Sequence, residues 1–290
     1  VACLAAALFL GVPIAAHTSD STEPDRLTHD GARKLTPVFV AHGDAIVFAM
    51  HERPNLVALM RLRLKDGARE RVHPTVASHQ FDPAYSEDEK IHVYSRTATS
   101  PQSVLVIKEA REPKEFVFRP RDSRATARSP SVAPNGQRIA FSVSDVGGQQ
   151  IASVNLKGED LKILAPSAGI NGWPAYSPDG RHIAFASSRD GDFEIYVMST
   201  DGENLRRLTH SRGRDLRPAW SPDGQRIAFT SSRDGNEEIY VMAADGAHPR
   251  NLTHHPDRDD FPAWHPDGRH LVFVSERDGG SDLYRLDATR

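Results

Sequence analysis

Three Arg-Asp-Gly tripeptides, Arg189-Asp190-Gly191, Arg233-Asp234-Gly235 and Arg277-Asp278-Gly279, recur at intervals of 44 residues. Each places a carboxylate beside a guanidinium, where a metal or a charged ligand could be held. Asp190, Asp192 and Glu194 alternate as the oxygen ligands of a calcium loop do, but over a span shorter than the roughly twelve residues such a loop needs. A charged turn copied at a fixed interval serves the repeating unit more economically than it serves one ion, since Asp and Gly supply tight-turn backbone. Histidines recur as well: His29, His210 and His254 each follow Leu-Thr, and imidazole is a common zinc or copper ligand. They fall after the outermost strand of the units described next and diverge from one another, whereas ligands must converge to ~2 Å from one ion. Solvated loop histidines are expected. There is no Gly-x-Ser-x-Gly elbow and no phosphate-cradling glycine loop, so no catalytic residue, metal or cofactor is expected.

The elements that carry these residues are repeats. Prolines 37, 83, 130, 174, 218 and 262 open units 44 to 47 residues long. In the last three the proline is followed by Ser177-Pro178-Asp179-Gly180, Ser221-Pro222-Asp223-Gly224 and His265-Pro266-Asp267-Gly268, then by Ile183-Ala184-Phe185 or its equivalent. Pro130 opens a relative with Ala133-Pro134-Asn135-Gly136, Pro37 aligns through His42-Gly43 to Ile46-Val47-Phe48, and the Pro83 unit, with Ser86-Glu87-Asp88-Glu89 at the turn, diverges most. The apolar runs are short, β-branched and aromatic, bounded by turn residues, which reads as strand rather than helix. Each unit supplies an inner strand at Pro-Ala-Trp, a second at Arg-Ile-Ala-Phe, a third at Glu-Ile-Tyr-Val-Met and a fourth such as Arg206 to Thr209. Asp66-Gly67, Asp201-Gly202 and Asp245-Gly246 form the hairpins between third and fourth. The expectation is an all-β, six-bladed propeller with four-stranded blades. The last unit ends after its third strand, and Arg26-Leu27-Thr28-His29 matches Arg207-Leu208-Thr209-His210, so an N-terminal strand is expected to complete blade six.

A chain of 290 residues, 38% hydrophobic and 26% charged with net charge -3, reads as a globular protein with no electrostatic footprint for nucleic acid. Val1 to Ala16 is apolar and ends in small residues, as a secretory signal does, without the basic segment that normally precedes one. The organisation expected is a signal at 1–16, a linker at 17–25 and the propeller at 26–290, in a monomeric periplasmic or secreted protein whose mature chain does not insert in a membrane. Cys3, the only cysteine, lies inside the signal stretch, leaving no disulfide or thiolate chemistry to the mature chain.

The Ser-Pro-Asp-Gly, Ser-Ser-Arg-Asp-Gly and Glu-Ile-Tyr-Val-Met pattern resembles the WD40-like repeat of TolB-type six-bladed propellers, most specifically over Arg128 to Arg290 and more weakly back to Arg26. TolB proper carries an α/β domain before its propeller, and only His17 to Thr36 stands here between the signal and the first unit. The resemblance implies an extracytoplasmic, non-enzymatic scaffold, since the TolB propeller engages a peptidoglycan-associated lipoprotein and accepts peptide segments at its mouth. Related propellers precede serine-peptidase domains or form pectate-degrading lyases, so a carbohydrate-active enzyme and a metal- or small-ligand-binding propeller are the alternatives.

Function belongs where equivalent positions differ between blades. One residue before the proline stand Thr36, Asp82, Ser129, Trp173, Arg217 and Phe261; three before it stand Lys34, Gln80, Ala127, Asn171, Asp215 and Asp259. These twelve are expected to ring the mouth of the central tunnel. The binding set expected for a protein or peptide partner, such as a cell-envelope protein, is Trp173, Arg217 and Phe261 with Asn171, Asp215, Asp259 and Asp82, because Trp and Arg are enriched at binding hot spots.

Overall fold

The computed structural model describes residues 23–99, 102–112, 114–145, 147–166 and 169–289. The expected signal at 1–16 lies outside them. Strand β1 (Asp25–Arg26) begins on the last residue of the expected linker. The first unit contains β2 (Lys34–Val40), β3 (Ala45–Arg53), β4 (Leu56–Arg63) and β5 (Arg69–Arg71). The second contains β6 (Gln80–Tyr85), β7 (Ile91–Thr99), β8 (Gln102–Glu109) and β9 (Glu115–Phe118). In the third are β10 (Thr126–Val132), β11 (Arg138–Asp145), β12 (Gly148–Asn155) and β13 (Lys162–Ala165). The fourth has β14 (Asn171–Tyr176), β15 (His182–Ser187), β16 (Glu194–Ser199) and β17 (Arg206–Arg207), and the fifth β18 (Asp215–Trp220), β19 (Arg226–Ser231), β20 (Glu238–Ala243) and β21 (Arg250–Asn251). The last has β22 (Asp259–Trp264), β23 (His270–Ser275) and β24 (Asp282–Asp287).

Within each unit neighbouring strands pair antiparallel in chain order, and β1 pairs β24 antiparallel with Arg26 opposite Tyr284. The described strands therefore form six four-stranded units. One parallel bridge, Thr126 to Ser103, joins the second to the third. Each inner strand packs on the next, and β22 packs on β2, closing the ring.

Because every sheet is sandwiched between two others, its middle strands are apolar on both faces. On β19, Ile227 and Phe229 pack toward Ile195 and Val197 of the preceding unit, while Ala228 packs with Leu271 and Phe273 of the next. The turns follow from residue chemistry. Ser221 Oγ accepts from Arg226 N (2.9 Å) and donates to Asp223 Oδ1 (2.5 Å), and Gly224 supplies the φ of +69° that closes the turn.

The N-terminal strand is held as tightly as an internal one. In the fourth unit Arg207 Nη2 donates to Glu194 Oε1 (2.7 Å) and Thr209 Oγ1 to Glu194 Oε2 (2.5 Å). In the last, Arg26 Nη2 donates to Asp282 Oδ2 (2.7 Å) and Thr28 Oγ1 to Asp282 Oδ1 (2.6 Å). The fully buried Lys34 adds a third contact, Nζ to Asp282 Oδ1 at 2.9 Å.

One backbone feature was not visible in the repeat. Every inner strand has a register shift at its proline, between Leu35 and Val38, Phe81 and Ala84, Arg128 and Ser131, Gly172 and Ala175, Leu216 and Ala219, and Asp260 and Ala263. The residue before each proline is left-handed, with φ of 48° at Thr36, 50° at Asp82, 52° at Ser129, 54° at Trp173 and Arg217, and 58° at Phe261. Such bulges bend the strand and re-aim a side chain.

A candidate binding site in the central tunnel

The six bulges aim their side chains at one place. Thr36, Asp82, Ser129, Trp173, Arg217 and Phe261, each with its following proline, line a tunnel cavity of about 140 Å³. The chemistry is concentrated on two of them. Arg217 is 17% exposed, and its guanidinium carbon lies 4.2 Å from the Phe261 ring centre and 5.0 Å from that of Trp173. Its Nη1 donates to Asp260 Oδ1 (3.0 Å), while Nε is buried with no hydrogen-bond partner. Burial pulls this guanidinium below its ordinary pKa, with Asp260 opposing. Three units away around the ring sits Asp82, which accepts from Arg128 Nε (2.6 Å), Ser129 N (3.1 Å) and Ser95 Oγ (3.2 Å). Burial pushes the Asp82 carboxyl up, but the Arg128 charge and these donors outweigh it and hold it below the usual carboxylate range.

The two ion pairs have the same construction and opposite polarity. In each, the residue before one proline pairs with the residue two before the next: Asp82 with Arg128, and Arg217 with Asp260. Arg128 and Asp260 were missed by sequence reasoning. Their signal was present, since they are the only charged residues two before the opening prolines and each opposes the charge of the preceding unit. The tunnel thus carries an acid on one wall and a base between two aromatic rings on the other, with Thr36 Oγ1, also buried and unpartnered, between them in ring order.

The second half of the expected ring is placed elsewhere. Lys34, Gln80, Ala127, Asn171, Asp215 and Asp259 are all essentially buried and none lines the cavity. Asn171, Asp215 and Asp259 accept the arginine of their own unit's turn: Arg189 Nη2 to Asn171 Oδ1 (3.1 Å), Arg233 Nη2 to Asp215 Oδ2 (2.8 Å) and Arg277 Nη2 to Asp259 Oδ2 (2.8 Å). Burial raises the Asp215 carboxyl and raises that of Asp259 to about 6, against the pull of Arg277. These three belong to clamps that fix the Arg-Asp-Gly turns, not to the tunnel wall. The turn carboxylates are spent locally too, Asp278 accepting the Tyr284 hydroxyl at 3.0 Å and Asp234 that of Tyr240.

His29, His210 and His254 are exposed. Among the described residues no group of three or more His, Cys, Asp and Glu side chains is placed to hold a metal ion. No described helix is long and apolar enough to cross a membrane.

The comparison with known families is decided by the repeats. The TolB beta propeller domain family matches residues 115–248 and 211–290. The chain belongs to the TolB β-propeller family. A putative TolB from Agrobacterium tumefaciens superposes with a TM-score of 0.71 at 21% identity, covering 90% of this chain and 92% of that one. TolB from Acinetobacter baumannii gives 0.69 at 19% identity, with 87% of this chain but only 65% of that one covered. An oligogalacturonate lyase from Vibrio parahaemolyticus gives 0.61 at 15% identity, covering 90% and 92%. These likenesses are of fold. Among curated proteins, no match to this TolB-family chain is found.

Proposed function

We propose that this TolB-family propeller is a non-enzymatic binding protein of the periplasm or cell exterior that takes an extended segment of a protein or peptide partner at the tunnel. The observation that carries this reading is the Arg217 guanidinium, held between Trp173 and Phe261 with its Nε lacking a partner. A desolvated cation between two rigid rings offers a carboxylate or a backbone carbonyl a charge-assisted bond in a low-dielectric setting. The cavity, about 140 Å³, admits a side chain or chain end and excludes a folded element. A lyase-like reaction on a bound divalent cation, as the manganese-bound oligogalacturonate lyase of the same fold suggests, is disfavoured by the donor set. Among the described residues Asp82 is the one carboxylate lining the cavity, it is tied to Arg128, and no histidine lines it.

The test is a peptide-display selection on the purified protein, followed by titration of the enriched peptide against Trp173→Ala, Arg217→Ala and Phe261→Ala. Loss of about 2 kcal/mol, roughly thirtyfold in affinity, is expected for Arg217→Ala and for at least one of the aromatic variants. Unchanged affinity in all three folded variants refutes the tunnel as the binding site.

A further inference from the structure

A second site lies between the second and third units, at the end of the inner strands where the Ser-Pro-Asp-Gly turns sit. Elsewhere these inter-unit clefts are filled in a repeating way. Two residues after the opening proline stand Phe39, Tyr85, Tyr176, Trp220 and Trp264, an aromatic in every unit but the third, which has Val132. The indole of Trp220 crosses to the preceding unit and donates Nε1–H to Ala175 O (3.2 Å), and Trp264 does the same to Ala219 O (3.1 Å). The Arg226 guanidinium lies 4.6 Å over the Trp264 ring. The turns also touch: a Cβ on Gly224 would lie 3.7 Å from Pro178, and one on Gly268 4.0 Å from Pro222.

Between units two and three each of these contacts is gone. Val132 stands in place of the aromatic, Ile91 in place of Arg226, and Glu87 in place of Pro178 or Pro222. Gly136 has nothing within 4 Å of where a Cβ would be. The result is a cleft of about 610 Å³, against about 340 Å³ for its counterpart between units four and five, which Trp220 helps to line. Its apolar lining is Ile91, Pro134 and Leu156, continuous with the core that contains Val132. Around these stand Glu87, Lys90, Glu109, Arg111 and Gln137.

We propose that this cleft is a docking site for an aromatic side chain with a polar tip, tryptophan or tyrosine, presented by a partner protein. The chain itself fills two of the equivalent clefts with its own indoles, Trp220 and Trp264, and satisfies their N–H on an inner-strand carbonyl. An aromatic ring supplies the large apolar area such a space can bury, together with one donor. Lys90, paired with Asp88, and Arg111 put cations on the rim of the cleft, where a ring face could meet them. A rim with both charge signs around an apolar floor is the composition of a protein-binding patch. The site is separate from the tunnel and does not depend on it.

The test uses N-acetyl-L-tryptophanamide as the probe and N-acetyl-L-leucinamide as the control, in saturation-transfer and ¹⁵N chemical-shift titrations. Saturable binding of the tryptophan probe is expected, at least tenfold tighter than the leucine control, with shifts at Ile91, Gly136 and Leu156. Val132→Trp restores the aromatic of the other units and should weaken probe binding at least tenfold while raising Tm. If Val132→Trp does not fold, Leu156→Trp, at a partly buried position on the same wall, blocks the cleft instead. Arg217→Ala should leave probe binding unchanged. Equal binding of the two probes, no saturable binding in the wild type, retention in the folded cleft variant, or loss in Arg217→Ala would each overturn the proposal.

Discussion

Asp259 gives the sharpest quantitative test of the assignment of the residues three before the prolines to structural clamps. Its carboxylate is fully buried on Arg277 Nη2 (2.8 Å), and burial raises its pKa from 3.8 to about 6. A carboxyl with a raised folded pKa contributes stability that is fully present below the unfolded value and lost as pH rises through the folded one. The folded state therefore binds a proton that the unfolded state releases between about pH 4 and pH 6. At ~1.36 kcal/mol per unit, the full difference is about 3 kcal/mol, of which about 2 kcal/mol falls between pH 4.5 and pH 7.5. Asp259→Asn removes this titration and installs the residue that the fourth unit already uses, where Arg189 donates to Asn171. Urea unfolding of both proteins at the two pH values isolates the contribution, because every other titrating group is common to both and cancels in the difference. Relative to wild type, the variant should gain about 2 kcal/mol on going from pH 4.5 to pH 7.5. A gap that stays constant within about 0.5 kcal/mol would refute the buried-clamp assignment and return Asp259 to a solvated position.

Other expected outcomes concern closure and the divergent second unit. Lys34→Met leaves the buried Asp282 carboxylate with one cation fewer and should cost about 3–5 kcal/mol in urea unfolding. Deleting the chain up to Lys34 should lower Tm of the whole domain in one transition, and an unchanged Tm would contradict the ring closure by β1. His92 occupies the place of Ile46, Ile139, Ile183 and Ile227, with Nε2 buried and unpartnered. It stacks on Tyr85 at 4.2 Å and on His73 at 5.2 Å. Burial, with His73 and Lys108 nearby, pulls it to about 3, and burial pulls His73 to about 4, so the stability of this stack is present above pH 6.5 and lost as pH falls. His92→Ile should be more stable by about 1–2 kcal/mol at pH 7, and its advantage should widen by about 2 kcal/mol at pH 5. A constant advantage across that range would show that His92 takes up its proton in the folded stack as readily as in the unfolded chain, and would refute the lowered pKa.

Most of the architecture could be read from the spacing of six prolines, because each unit cannot bury its two apolar faces alone and therefore forces a ring. The fourth strand expected from Arg206 to Thr209 is regular over Arg206–Arg207; Leu208 N still donates to Ile195 O, and Thr209 turns its hydroxyl to Glu194. The candidate site was half legible. Positions one and three before the proline should share a strand face by simple alternation, so Asp215 was placed beside Arg217. The bulge falls at Arg217-Pro218, after the regularly paired Asp215 and Leu216, and its left-handed corner breaks the alternation, sending Arg217 into the tunnel while Asp215 stays between the sheets. Side-chain pairing offered a hint that alternation did not. Asn171, Asp215 and Asp259 occur only in the three units that carry Arg-Asp-Gly, while Lys34, Gln80 and Ala127 occur where it is missing.

The six left-handed corners also bear on how such a protein acquires new specificity. Threonine, aspartate, serine, tryptophan, arginine and phenylalanine all adopt nearly the same φ there, from 48° to 58°, so the corner is imposed by the sheet around it and is indifferent to the side chain it carries. At Thr36 and Ser129 the side chain can be exchanged without touching an inter-unit ion pair, whereas Asp82 and Arg217 pair across units with Arg128 and Asp260, and Trp173 and Phe261 pack against the cores beside them. A combinatorial library at residues 36 and 129 would therefore vary the tunnel wall while leaving the ring to fold as before, and one that also varied 82 or 217 would have to vary 128 or 260 with it.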